Sequence, residues 1–263
     1  MTVITSKTNE NIKLYRRLSS SKKARYTEKL YTLEGVRLIT DAAKEAARFH
    51  CVFASDGCME KYGETLKFLA DEYKNRFYTI SDELAEYISE TDGTQGLFAI
   101  ALMPEDIPLS DMINENGRYI MLSNVQDPGN MGTVIRTADA VGVDGIICCG
   151  CCDIYNPKTI RSTMGSMLRV PVVCSDEDSA FAALSEAGIK TYAAVIDKDA
   201  VSLTDCDFSK GGAVLIGNEG SGLSHETADR CDVKMTIRMH GSVNSLNAAM
   251  AAGIIMWELC RKL

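Results

Sequence analysis

The sequence predicts an α/β protein of two domains. Three observations lead there. Short strand-like runs alternate with helix-like stretches along the whole chain. A proline-bearing polar stretch, residues 104–117, interrupts the alternation once. Three polar turns, rich in glycine or asparagine, follow strand-like runs in the second part, where open α/β sheets bind ligands.

The elements follow in order. Ile12, Leu14, Tyr15 and Leu18 sit near helical spacing. Residues 30–33 form a short strand, ended by Glu34 and Gly35, and 36–48 an alanine-rich helix. A strand is expected over 51–54, a helix over 63–73 and a strand over 77–80. Ser81 is an N-cap type for the helix that begins there, and 96–102 closes the block as a strand. Residues 1–103 thus form a first, smaller domain and 104–117, with Pro104 and Pro108, a linker. In 118–263 strands are expected over 118–122, 145–149, 191–196, 213–216 and 233–236. Helices are expected over 130–141, 179–187 and 245–262; the last is apolar on nearly every side and reads as buried.

Composition restricts the function classes. Of 263 residues, 46% are hydrophobic and 24% charged, the balance of a folded domain rather than a disordered or fibrous chain. The longest apolar run, 248–257, falls short of the roughly 18 residues a membrane helix needs. The first ten residues lack the apolar core of a signal peptide, so a cytoplasmic location is expected. Reduced, mostly buried cysteines follow from that location. Cys148, Cys149, Cys151 and Cys152 cluster after the apolar Gly145-Ile146-Ile147, and no second pair at zinc spacing follows, so strand-end packing rather than a metal is expected. Net charge is −8, yet residues 1–29 carry +6 and the remainder −14. Arg16, Arg17, Lys22, Lys23 and Arg25 belong to this basic stripe, the kind that meets a phosphate backbone, with Tyr15, Tyr26 and Tyr31 as possible stacking partners. A solvated helical face would read the same way.

The three turns carry the candidate chemistry. The first, N-V-Q-D-P-G-N-M-G-T-V-I-R-T-A over 124–138, offers Asn130 as an N-cap and Arg136 further along the helix; alone it reads as a capped helix with a surface arginine. The second, L-I-G-N-E-G-S-G-L-S over 215–224, has Gly217, Gly220 and Gly222 but neither G-x-G-x-x-G nor a P-loop lysine. Glu219 amid those glycines has little evident structural work. The third, I-R-M-H-G-S-V-N-S-L-N-A-A-M over 237–250, lets Asn244 or Ser245 cap the terminal helix and puts Asn247 in its first turn, where it needs a partner. His240 reads as a loop histidine.

In this order the motifs resemble the SpoU (TrmH) family of RNA ribose 2′-O-methyltransferases, in the SPOUT superfamily. Its N-x-G-x-x-x-R-T-A is met by Asn130, Gly132, Arg136, Thr137 and Ala138. Its G-x-E-x-x-G-L is met by Gly217, Glu219, Gly222 and Leu223, and its S-L-N by Ser245, Leu246 and Asn247. Residues 31–38 are similar to the start of a substrate-binding domain that precedes this catalytic domain and resembles RNA-binding ribosomal proteins. Arg238 and Ala248-Ala249 depart from the proline and valine-serine of many members.

The resemblance implies a SPOUT-type parallel sheet with a trefoil knot over 118–263 and a homodimer with active sites at the subunit interface. It implies S-adenosylmethionine as methyl donor, held by Gly217, Ile237, Met239, Leu246 and Asn247. It places Arg136, Asn130, Glu219, Ser245 and Asn247 in the catalytic site, and assigns proton removal to Arg136. Arginine stays protonated to a pKa above about 12, so we expect Arg136 instead to bind the RNA phosphate and the developing alkoxide. Asn130 and Glu219 would orient Arg136 and the ribose, and Ser245 and Asn247 the loop and acceptor. The expected substrate is structured RNA, ribosomal first and transfer RNA as the alternative. A non-catalytic RNA-binding or assembly protein of the same fold is the competing class.

Overall fold

A computed structural model describes residues 2–261. The chain divides into two compact units, one comprising the residues up to Glu105 together with Asp153–Leu168, the other Asp106–Cys152 and the chain from Arg169 onward.

The first unit begins with β1 (Thr2–Ile4), α1 (Glu10–Ser20), α2 (Lys22–Glu28), β2 (Leu30–Glu34), α3 (Val36–Lys44), β3 (Phe49–Ser55), α4 (Asp56–Tyr73), β4 (Phe77–Ile80), α5 (Asp82–Ile88) and β5 (Leu97–Leu102). Its sheet runs β1-β4-β3-β5-β2, with β5 antiparallel to both neighbours and the other pairs parallel. Side chains alternate across a strand, so each strand feeds two cores. Phe53, Phe98 and Ile100 pack with Ile12, Tyr15, Leu18 and Leu84 on one face. Val52, Ala54, Leu97 and Ala99 pack with Ile39, Leu66 and Leu69 on the other. Ser81 caps α5 by accepting the Leu84 N–H at 3.2 Å, as the sequence suggests. The helix expected over 63–73 starts earlier, at Asp56, because Ser55 caps it through the Cys58 N–H.

The second unit holds α6 (Leu109–Met112), β6 (Arg118–Ser123), α7 (Pro128–Val141) and β7 (Gly145–Cys149). After α8 (Pro157–Thr163), in the segment that belongs to the first unit, come β8 (Val172–Ser175), α9 (Glu177–Glu186), β9 (Thr191–Ala194), β10 (Val201–Ser202), β11 (Gly212–Ile216), α10 (His225–Asp229), β12 (Val233–Thr236) and α11 (Ala248–Cys260). The sheet order is β10-β12-β9-β11-β6-β7-β8, and every pair is parallel. Its central strands β7 and β11 are buried throughout and β6 is buried after Arg118, as parallel strands covered on both faces must be.

Three expectations need correction. The stretch 104–117 is not all linker: α6 forms within it, and Met112 and Ile113 are buried against Tyr119. The segment 153–168 follows β7 in sequence but packs with the first unit, where Ile160 joins the core. Helix α11 is not buried all round. Ala249, Ala252, Ile255, Met256 and Leu259 face inward, while Met250, Ile254 and Trp257 are exposed at 60%, 41% and 61%. Their i, i+4, i+7 spacing makes one apolar stripe. Among the described residues no helix is long and apolar enough to cross a membrane.

Candidate active site

Pairing of β11 with β6 sets Ile216 level with Leu122, so the chains leaving both strands emerge side by side. The loop after β6 reaches α7 through Asp127, whose side chain accepts the Asn130 N–H at 2.8 Å. Asp127 is therefore the N-cap, not Asn130, and Pro128 occupies the first helical position, where its missing N–H costs nothing. Asn130, relieved of capping, is free to bond elsewhere.

The loop after β11 folds back on itself. Asn218 and Gly222 exchange backbone hydrogen bonds of 3.1 and 2.9 Å. Any Cβ at Gly217 would lie 2.1 Å from the Gly222 carbonyl carbon, so only glycine fits. This hairpin projects Glu219 at the first loop. Its Oε1 accepts the Asp127 N–H at 3.0 Å and the Asn130 amide at 3.1 Å, and its Oε2 accepts the Gln126 N–H at 3.2 Å. Asn218 adds a bond from its amide to the Asn124 carbonyl at 2.9 Å. Partial burial acts to raise the Glu219 pKa, but the donors from Asp127, Asn130 and Gln126 outweigh it and hold the carboxyl below its ordinary value. Glu219 is thus an ionised clasp, and its structural work is larger than the sequence suggests.

The third loop joins through Asn247. It is the N-cap of α11, its Oδ1 accepting the N–H groups of Ala249 and Met250 at 2.9 and 3.2 Å. Its amide donates to Asn130 Oδ1 at 3.0 Å. A carboxylate only accepts, which fixes the direction of the whole relay: Asn247 donates to Asn130, and Asn130 to Glu219. The role expected for Asn244 or Ser245 as cap falls to Asn247 because its side chain sits one residue before the helix. Ser245 is exposed, and Ile237, Met239 and Leu246 are half-buried. Among the described residues no backbone–backbone hydrogen bond involves 238–246.

Arg136 is exposed on α7 and makes no hydrogen bond or ion pair among the described residues. Asn130 and Glu219 bind each other rather than orient it. Gln126, Asp127 and Asn218 were missed by sequence reasoning; the Asp-Pro pair at a helix start is a cap signature that could have revealed Asp127. No group of three or more His, Cys, Asp or Glu side chains among the described residues is placed to hold a metal ion.

In the first unit the basic stripe is only partly available. Arg16, Arg17, Lys22 and Lys23 are exposed. Arg25 is 2% exposed; its Nε and Nη2 donate to Asp153 at 2.9 and 2.5 Å, so it is a core ion pair and not an RNA contact. Tyr15 and Tyr31 are buried and cannot stack on bases, Tyr15 lying edge-on to Phe98 at 5.6 Å. A shallow cavity of about 280 Å³ adds Ser20, Tyr87 and Glu90 to Arg16 and Arg17. Arg16 and Lys7 lie over the Tyr87 ring at 4.3 and 4.6 Å.

Comparison with known proteins identifies relatives of this chain. Residues 117–257 match the SpoU rRNA Methylase family, and residues 9–99 match the MRM3-like substrate binding domain. The chain is 30% identical over 260 residues to the 23S rRNA (guanosine(2553)-2′-O)-methyltransferase RlmP of Bacillus subtilis, covering 98% of this chain and 99% of that one. Among solved structures it is similar to an AdoMet-bound rRNA methyltransferase from Sinorhizobium meliloti, with TM-score 0.89, 30% identity and coverage of 100% and 98%. It is similar also to the SpoU methyltransferase AviRb from Streptomyces viridochromogenes in complex with AdoMet, with TM-score 0.83, 28% identity and coverage of 97% and 98%.

Proposed function

The chain belongs to the SpoU rRNA methylase family, and from that premise we propose that it transfers a methyl group from S-adenosylmethionine to a ribose 2′-hydroxyl of ribosomal RNA. The observation that carries the reading is the relay Asn247–Asn130–Glu219, which ties three separate loops into one site and leaves Arg136, on the helix that carries Asn130, unpaired among the described residues.

The residues present fit the donor. Among the described residues the backbone N–H and C=O groups of 238–246 have no backbone partners, and Ile237, Met239 and Leu246 offer half-buried apolar surface. An adenine nucleoside needs that combination: polar groups for the ring edge and apolar groups for its faces. Gly217 shapes the hairpin rather than making room for a ligand, since the space its Cβ would need is filled by backbone. S-adenosylmethionine, when bound, supplies a sulfonium methyl for in-line displacement.

The chain's own groups do the rest. The relay orders the loops before substrate arrives, so that ordering is not charged to binding. The guanidinium of Arg136 stays protonated and presents a planar fork to an RNA phosphate and to charge growing on the ribose oxygen. The hydroxyl proton leaves to water or phosphate. Arg16, Arg17, Lys22 and Lys23 meet the RNA backbone.

The exposed stripe Met250, Ile254 and Trp257 is the surface of a homodimer, since apolar patches on soluble chains mark interfaces. We assign the trefoil knot to the segment that ends in β12 and α11, and the proposed rRNA substrate supports a cytoplasmic location.

Ribose methylation mapped across ribosomal RNA, from cells with and without this protein, tests the function. One 2′-O-methyl nucleotide should vanish and be restored by the purified protein with S-adenosylmethionine. An unchanged map, together with no donor binding by calorimetry, refutes the proposal.

A further inference from the structure

A second carboxylate, outside the relay, also joins active-site loops. Glu177 opens α9, whose cap is the neighbouring Asp176, its side chain accepting the Ser179 N–H at 2.8 Å. A glutamate in a first helical turn already faces the favourable end of the helix dipole and needs no further partner. Glu177 nevertheless takes two. Its Oε1 accepts the Ser123 hydroxyl at 2.5 Å, and its Oε2 accepts the Thr227 hydroxyl at 3.0 Å. Both hydroxyl residues are buried, so water replaces the carboxylate poorly if it is removed.

These partners stand at the roots of the first two loops. Ser123 ends β6, where the first loop leaves the sheet. Ser224 caps α10 by accepting the Thr227 N–H at 3.0 Å, where the glycine hairpin runs into helix. An ionised carboxylate only accepts, so Ser123 and Thr227 both spend their protons on Glu177 and turn lone pairs outward. Ser123 Oγ then accepts the Asn124 amide at 3.3 Å, and Thr227 Oγ1 accepts the Ser224 hydroxyl at 2.8 Å.

Asn124 passes the orientation on. Its φ of +57° is left-handed, a conformation asparagine tolerates better than other side chains. Its Oδ1 packs where a Cβ on Gly150 would come within 2.5 Å, and its Nδ2 points at Ser123, so the amide plane is fixed from both sides. Its N–H donates to the Cys149 carbonyl at 2.8 Å, and its carbonyl accepts the Asn218 amide at 2.9 Å. Asn218 Oδ1 in turn accepts the N–H groups of Gly220 and Ser221 at 2.9 and 3.1 Å, which shapes the hairpin that presents Glu219.

We infer that Glu177 is a positioning residue for the methyl-transfer site, holding by their roots the two loops that Glu219 joins at their tips. It acts through Ser123, Asn124 and Asn218 on one side and through Thr227 and Ser224 on the other. Among the described residues it bonds to none of Asn130, Arg136, Glu219 or Asn247, so its influence on them passes through the loops. The role in methyl transfer rests on the proposed function; the coupling of the two loops through Glu177 does not.

The test uses the full chain without added donor, then with S-adenosylmethionine. In Glu177→Ala, amide exchange at Gln126, Asp127, Gly220 and Ser221 should speed up about tenfold, the loss of roughly one hydrogen bond of local protection, and the middles of β6 and β11 should change less than twofold. Ser123→Ala and Thr227→Val should each give about threefold at the same amides, and they carry the test if Glu177→Ala fails to fold. Glu177→Gln can rebuild both bonds, its oxygen accepting from Ser123 and its amide donating to Thr227, and should restore the exchange rates. By calorimetry, Glu177→Ala should weaken donor binding about tenfold, and combined with Asn218→Ala by clearly less than the product of the two single losses, because both act on one chain of bonds. No acceleration at the four amides, acceleration spread equally over the strands, or no rescue by Gln overturns the loop coupling. Unchanged donor affinity in Glu177→Ala, or losses that multiply in the double variant, overturns the positioning role. A wild type that binds no donor counts against the proposed function instead, and the exchange rates still decide the coupling.

Discussion

Replacing Asn130 with Ala cuts the relay at its centre. Two bonds disappear, the 3.1 Å donation to Glu219 and the 3.0 Å acceptance from Asn247. The backbone N–H of residue 130 keeps its bond to Asp127, so the cap of α7 survives. At a partly exposed site each bond is worth about 0.5–1.5 kcal/mol, the one to a carboxylate standing at the upper end. Their loss removes about 2 kcal/mol of loop ordering, and alanine returns a few tenths through helix propensity. Since 1.4 kcal/mol is tenfold in affinity, S-adenosylmethionine should bind about 10–30-fold more weakly by calorimetry. Urea melts should move by no more than about 1 kcal/mol, because the loops lie outside the buried cores. Asn130→Asp should bind more weakly still, with a second carboxylate facing Glu219. Donor affinity within about twofold of wild type in Asn130→Ala would refute the preorganisation argument.

Arg136→Lys should leave donor affinity unchanged and slow methyl transfer about a hundredfold, because a point charge replaces the fork; full activity in a single-turnover assay removes the assigned role. Glu219 has a depressed pKa in the fold, so its stabilising effect is present above the unfolded value near about 4.3 and is lost as pH falls through the folded value. Glu219→Gln should therefore be less stable than wild type in urea at neutral pH and match it once both are neutral, below about pH 3; a pH-independent gap contradicts this. Trp257→Glu should convert a dimer to monomers in sedimentation, and a monomeric wild type would sink the assigned interface. Arg25→Ala should cost about 3 kcal/mol in denaturant melts by stranding Asp153, and a loss under about 1 kcal/mol would show the pair to be dispensable.

Much of this fold is legible in local pattern. The strands Phe77–Ile80, Gly145–Cys149 and Val233–Thr236 have the limits their local patterns suggest. Strands β1 and β10 are missed because three and two residues carry no period, and only pairing with β4 and β12 makes them strands. Helix α8 is missed because it lies in a polar stretch where, beside Ile160, the buried side chains are Pro157, Thr159 and Thr163, which give no apolar period. At the site, the residue types were visible but not their partners. Asn130, Glu219 and Asn247 stand apart in sequence and touch only through the sheet order that sets β11 beside β6. Arg25 misleads for a related reason: its charge reads as surface, and its counter-charge, Asp153, lies far along the chain.

The route of the chain also orders its synthesis. The first unit is incomplete when the ribosome has made its last N-terminal strand, because α8, Ile160 and the carboxylate that neutralises Arg25 have not yet been translated. Nascent chains grow at about 5–20 residues per second, so for several seconds Arg25 waits without its counterion while strands of the other unit emerge. A fragment ending at the 104–117 stretch would stay in that unfinished state, and a dissected first unit needs residues 153–168 supplied with it.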